Sequence, residues 1–150
     1  MRFLALTAVL FSFSSMACPN LAGEYLSCRS LTGSTEAPVN MKITQKLDGG
    51  VTIYDVTSTD SETNDSSTES YRADGKMYSS TTVDPDFGTM VQSMTTTCKK
   101  DSVSIVGKIT MSGQVAVTFT LEQKKINGQL ISTMKGQMMG EDLADTIVCE

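Results

Sequence analysis

The feature that most limits what this chain can become is an alternation of apolar and polar residues with a period of two, broken at intervals by turn residues. In "MKITQKL" (41–47), Met41, Ile43 and Leu47 share one face, and Lys42, Thr44 and Lys46 the other. In "QVAVTFTLEQ" (114–123), Val115, Val117, Phe119 and Leu121 stand opposite Ala116, Thr118, Thr120 and Glu122. In "SVSIVGKIT" (102–110), Val103, Ile105 and Ile109 align. Side chains two apart lie on one face of a strand, so these segments read as strands with one buried and one wet face. No stretch carries an apolar stripe at helical spacing long enough for a helix.

Between these segments lie "LDGG" (47–50), "ADGK" (73–76), "DPDFG" (84–88), "KKDS" (99–102), "MSGQ" (111–114), "INGQ" (126–129) and "MMGED" (138–142). Asp-Gly and Asn-Gly supply the positive φ that tight hairpins need, and even spacing is the rhythm of a meander. Strands are expected over 22–29, 38–47, 50–57, 67–73, 76–83, 89–98, 102–110, 114–124, 129–137 and 143–149. A long meander leaves two raw edges that closure removes. The expected fold is therefore all-β: a disulfide-stapled, antiparallel up-and-down β-barrel of about eight to ten strands, with a β-sandwich as the alternative. Residues 57–70, "TSTDSETNDSSTES", are polar throughout. They are expected to form a mobile loop or the exposed tip of a long hairpin.

The N-terminus is organised for export. Arg2 precedes an apolar run, "FLALTAVLFSF" (3–13), and Ser15 and Ala17 place small residues correctly for a cut after Ala17. The run is too short to cross a bilayer as a helix. Residues 1–17 are expected to be a signal peptide of the short bacterial kind, and residues 18–150 a single domain. The expected location is periplasmic or secreted, with an outer-membrane lipoprotein anchored at Cys18 as the alternative.

All four cysteines, Cys18, Cys28, Cys98 and Cys149, follow the cut. "SMAC" keeps the Ala-Cys of a lipoprotein signal but has Ser15 where a large aliphatic residue is usual, and Pro19 comes next. Lipid on Cys18 would also strand one thiol in an oxidising compartment, whereas an even set makes two disulfides. The disulfide reading is preferred, and membrane attachment is expected only if Cys18 is lipidated. Four cysteines allow three connectivities. Cys18–Cys28 is set aside because "NLAGEYLS" between them reads as extended strand, which holds its ends too far apart for a disulfide. If first and last strands are antiparallel neighbours, the start of one meets the end of the other. That pairs Cys18 with Cys149 and leaves Cys28 with Cys98. Cys28–Cys149 with Cys18–Cys98 is the remaining arrangement.

Charge and composition exclude more than they assign. The chain is net −5, and its acidic, evenly spread charge argues against nucleic acid and anionic membranes as partners. It contains no His, which removes Ser–His and Cys–His nucleophile pairs and imidazole metal sites. "STMK" (132–135) matches the Ser-x-x-Lys motif of penicillin-binding enzymes. That motif needs a helix to bring residues three apart onto one face, and here it falls in a strand. Asp84 and Asp86 lack the further oxygens and the bidentate Glu of a calcium loop and read as a turn. No catalytic residue, cofactor or metal is expected, and the chain reads as a non-enzyme.

Aromatic residues are few: four Tyr, no Trp, and five Phe of which Phe3, Phe11 and Phe13 lie in the leader. Methionine is plentiful instead, with Met90, Met94, Met111, Met134, Met138 and Met139 in the second half. Met fills core gaps, lines adaptable apolar pockets, and offers a thioether to Cu(I). Core filling is the first reading, an apolar pocket the second. "LAGEY" (21–25) resembles the Leu-x-Gly-x-Trp opening of the calycins, the lipocalin and avidin families, with Tyr25 in the aromatic place. The resemblance covers these five residues. It implies that Gly23 allows close backbone approach, that Tyr25 plugs one end of a meander barrel, and that a ligand binds within. The candidate pocket residues are Tyr25, Met90, Met94 and Met134, and the expected partner is a small apolar molecule. The alternative is a structural, interaction or inhibitor protein of the cell envelope with a filled barrel and an envelope protein as partner.

Overall fold

A computed structural model describes residues 17–33, 37–60, 62–85 and 88–150. The expected leader, apart from Ala17, and Asp86 lie outside the described residues. The fold is all-β. Its strands are β1 (Gly23–Tyr25), β2 (Cys28–Ser30), β3 (Asn40–Asp48), β4 (Val51–Thr59), β5 (Ser66–Arg72), β6 (Met77–Asp84), β7 (Gly88–Cys98), β8 (Val103–Met111), β9 (Gln114–Ile126), β10 (Gln129–Met138) and β11 (Glu141–Cys149). Several are joined by tight turns of the expected chemistry. Asn127 and Gly128, both at positive φ, close the β9–β10 hairpin.

The strands form two antiparallel sheets, a four-stranded one in the order β1-β3-β4-β5 and a seven-stranded one in the order β2-β11-β10-β9-β8-β7-β6. The single strand expected over 22–29 is broken at Leu26–Ser27. Its first half pairs with β3 in one sheet and its second half with β11 in the other. Along this side the sheets are sewn together: Leu26 N–H and Ser27 N–H donate to the Glu150 carbonyl, and Cys28 N–H donates to that of Val39. On the other side, β5 is followed by β6 in the opposite sheet with no ladder between them among the described residues. The shell is thus a meander joined along one side, an arrangement that the sandwich alternative also fits.

The polar run at 57–70 forms the tip and flanks of the β4–β5 hairpin. Strand pairing reaches Thr59↔Ser66, leaving a tight tip in which Asp60 Oδ1 accepts from the N–H groups of Glu62 (2.9 Å) and Thr63 (2.8 Å).

One end of the shell is filled and covalently tied. Leu21, Tyr25, Ile43, Tyr54, Val56, Val103, Ile105, Leu130 and Cys149 form its buried core. Cys18 is bonded to Cys98 at the end of β7, so the segment leading into the four-stranded sheet is anchored to the seven-stranded one. Cys28 is bonded to Cys149, its direct register partner across β2–β11. The expected pairing of Cys18 with Cys149 and Cys28 with Cys98 is therefore overturned, and the remaining arrangement is the one adopted. The physical reason is stagger. Strands of a coiled meander slide along one another, so the residue meeting the end of the last strand lies inside the first strand rather than before it.

Peptide mapping without reduction should recover Cys18–Cys98 and Cys28–Cys149 fragments and no Cys18–Cys149 fragment. Replacing both Cys28 and Cys149 by Ala should cost about 3–5 kcal/mol in urea unfolding, since the bond closes a long loop.

Candidate functional site

The tied end is sealed by hydrogen bonds as well as by sulfur. Tyr25, 2 % exposed, donates its hydroxyl to the Leu21 carbonyl (2.8 Å). Tyr54, equally buried, donates to the Pro19 carbonyl (2.7 Å) and lies 3.9 Å from Cys98 Sγ. Lys125 Nζ sits 5.7 Å from the centre of the Tyr25 ring and donates to the Ala22 carbonyl (2.8 Å). These bonds satisfy carbonyls that a segment crossing the end of a sheet would otherwise leave unpaired. Burial pushes the Tyr54 hydroxyl up to about 12 and raises that of Tyr25.

Above this floor the interior opens. A cavity of about 170 Å³ is walled by Met41, Leu121, Met134 and Ile147, with Gln123, Ser132 and Asp145 completing an almost wholly apolar wall. Register explains the grouping. Leu121↔Met134, Gln123↔Ser132, Met134↔Asp145 and Ser132↔Ile147 are cross-strand pairs of β9, β10 and β11. Met41 reaches in from β3. A mouth of about 530 Å³ shares Met41 and Met134 with this cavity and adds Ala37, Pro38, Ser58, Ser67, Asp60 and Glu69. The two spaces meet at Met41 and Met134, together a cup with the core on the side of the tied end and the β4–β5 tip on the side of the mouth.

The polar atoms of these three residues are engaged within the wall. Gln123 Nε2 donates to Ser132 Oγ (3.2 Å), and both residues are 5 % exposed. Asp145, 3 % exposed, accepts from Ser30 Oγ (2.7 Å), Thr32 Oγ1 (2.6 Å) and the Thr146 N–H (2.6 Å), so it holds β2 and the chain after it against β11. At the mouth, the Tyr71 hydroxyl donates to Glu69. Burial first, and then Glu69, raise the Tyr71 hydroxyl well above its ordinary range.

Of the expected pocket residues, Met134 lines the cup and its mouth. Tyr25 lies in the floor core. Met94 packs against that core and lines a separate, more polar space of about 250 Å³ between β5 and β6, with Glu69, Tyr78 and Gln92. Met90 pairs with Met111 near the far end of β7 and is not among the residues lining these spaces. All three methionines are half-buried. Met138 and Met139 are exposed on the β10–β11 turn. The cup's remaining walls were not singled out from the sequence. Asp145 carried a usable signal: it shares strand parity with Leu143, Ile147 and Cys149, and a carboxylate on an apolar face calls for partners.

Elsewhere in the shell, Gly107 and Gly136 flank Phe119 across the ladders. A Cβ on Gly107 would collide with the Phe119 ring, and one on Gly136 with the Thr118 carbonyl. No group of three or more His, Cys, Asp or Glu able to hold a metal occurs among the described residues. The two disulfides fit an oxidising, extracytoplasmic environment. Compared with known proteins, the sequence matches no family model and no curated relative.

A raised phenol favours the folded state below pH 10, where it is neutral in folded and unfolded chains alike, and that contribution is lost as pH rises toward the folded value of about 12. Urea midpoints should fall across that window. Tyr54→Phe should make the fall shallower, and at pH 7 should cost about 1–2 kcal/mol because the Pro19 carbonyl loses its donor.

Proposed function

We propose that this is an exported, non-enzymatic bacterial protein that binds a small apolar ligand inside a calycin-like shell. The observation that carries the reading is the cup: an apolar space walled by Met41, Leu121, Met134 and Ile147, beside a wider mouth that shares Met41 and Met134 and above a solid core. Concave, mainly apolar sites with a few placed polar groups are the usual form of a small-molecule site. The buried place of Tyr25 at the tied end accords with the role implied by its resemblance to the calycin aromatic, and Gly23 lies tightly against the Tyr25 ring. The absence of His from the sequence supports a binding role over nucleophilic catalysis.

Export follows from the leader, with cleavage after Ala17 and release to the periplasm or the medium. The Cys18 sulfur is engaged with Cys98, which supports a soluble form over a lipoprotein, since one sulfur cannot also carry a thioether-linked lipid. The runner-up is a scaffold of the cell envelope that presents the polar β4–β5 tip to a partner protein. The buried core at the tied end favours it.

Native mass spectrometry of protein purified from its own host tests both readings. The expected species begins at Cys18, carries no acyl chains and retains a small molecule that is lost in Met134→Phe, where the larger side chain occupies the cup. A ligand-free protein whose mass is unaffected by added hydrophobic small molecules would favour the scaffold.

A further inference from the structure

The outer face of the seven-stranded sheet carries a hollow of its own. Met77, Thr95, Val106, Thr120 and Lys135 are successive register partners, one row across β6, β7, β8, β9 and β10. Lys108 and Thr118 are partners in a parallel row two residues along. Ile105 and Leu121, next in the chain to Val106 and Thr120, belong to the core or pack against it. By alternation both rows therefore face away from the core and the cup. A hollow of about 380 Å³ lies over them, with Gly107, Phe119 and Gly136 of the intervening row in its floor. It shares no lining residue with the cup or its mouth, and its size is that of a small-molecule site.

The hollow is apolar toward β6 and cationic around β9. Val106 and Met77 are 53 % and 67 % exposed. On β9, Thr118 and Thr120 lie between Lys108 of β8 and Lys135 of β10, and strand spacing and rise put the two lysine Cα atoms roughly 12 Å apart. Both lysines are exposed, and among the described residues neither enters an ion pair or a hydrogen bond. Other bases have partners: Lys42, Lys46, Arg72 and Lys99 each hold an acid, and Lys125 holds the Ala22 carbonyl. The acids nearest in these rows are engaged. Glu122, the next residue on this face of β9, is held by Lys99 and Ser102, and Asp142, beyond Gln137 in the Lys108 row, accepts from Gln137.

Two ammonium groups around one strand present donors and no acceptor, and the threonine hydroxyls between them can donate as well. An anion satisfies all of these groups. We propose that this hollow is a second ligand site, for a small organic anion with an apolar body. Its carboxylate lies on Thr118 and Thr120 between Lys108 and Lys135, and its body lies over Val106 toward Met77. A neutral molecule with the same body leaves both lysines unpartnered, and an ammonium stands against them. Exposed pairs are individually weak, so the selectivity expected is moderate.

The test titrates the disulfide-bonded protein, its methionine methyl groups ¹³C-labelled, with octanoate, n-octanol and n-octylammonium in turn. The expected result is a saturable shift of the Met77 methyl, with octanoate bound about fivefold more tightly than n-octanol and n-octylammonium weakest. Joint Lys108→Gln and Lys135→Gln substitution should remove that preference. It should leave n-octanol binding at Met77 unchanged, which reports an intact hollow, and leave any response of Met134 in the cup unaltered. No shift at Met77 with octanoate, equal binding of octanoate and n-octanol there, or a preference that survives the glutamine pair overturns the proposal. So does octanoate that shifts Met134 alone, which places it in the cup. A Met77 shift that grows with protein concentration in the absence of any added molecule would show a second copy of the chain covering this face, and overturns it too.

Discussion

The bond between Cys18 and Cys98 is the constraint on which the rest of the molecule leans. Isolated backbone hydrogen bonds around the broken first strand connect the two sheets along one side, and no ladder joins β5 to β6 among the described residues. A meander in that state has a free seam, and seams of unpaired backbone are where sheets slip or pair with other chains. The Cys18–Cys98 bond fastens the entering segment to the end of β7, a strand on the far side of the shell from β1. Once it is fastened there, Tyr54 and Tyr25 can spend their hydroxyls on the Pro19 and Leu21 carbonyls, and Lys125 can reach Ala22. Each of these bonds needs the segment to lie across the end, and each helps to hold it there.

That tie also decides where the core forms. The chain has little aromatic volume, and Tyr25 and Tyr54 are spent on the tied end. The Phe119 ring fills the space over Gly107 and packs against the edge of that core. The interior beyond Leu121 and Ile147 is left to methionine, which is flexible and adapts to irregular space, and to small polar side chains. The cup follows from this division of material. Its existence and its position come from the same shortage that makes the covalent ties important, because a thin core stabilises less and leans more on constraints of the unfolded chain.

Much of this was legible in the sequence, and the parts that were not share a cause. Period-two alternation marked Val103, Ile105 and Leu121 as inward-facing, and Asn127–Gly128 marked its hairpin, because both signals act within a few residues. The break at Leu26–Ser27 was hidden, since one extended strand and two short ones in different sheets have the same local pattern. The disulfide partners were hidden for a related reason: register between first and last strands depends on stagger accumulated around the whole meander, which no local window contains. Met134 could be placed inward by parity, but its company of Met41, Leu121 and Ile147 depends on β3 facing β9, β10 and β11 across the shell. Met90 has the same composition signal and a different neighbourhood, because it lies farther along β7 toward the rim.

The charges of the connections cannot be assigned to the fold in the same way. At the tied end, acids and bases are interleaved and several pair, as Arg72 with Asp48 and Lys99 with Glu122. Such exposed pairs contribute little to stability, each about 0–1 kcal/mol, so the fold gains little from having them and would lose little without them. By the same measure, a base among the turns at the cup's end would cost the fold almost nothing and would relieve repulsion among Asp60, Glu62 and Asp65. The connections β2–β3, β4–β5, β6–β7, β8–β9 and β10–β11 contain no Lys or Arg, and strands, turns and core do not require this. Acidic turns in this number oppose compactness slightly, and the ties that offset such repulsion, Cys18–Cys98 and Cys28–Cys149, lie at the opposite end of the shell.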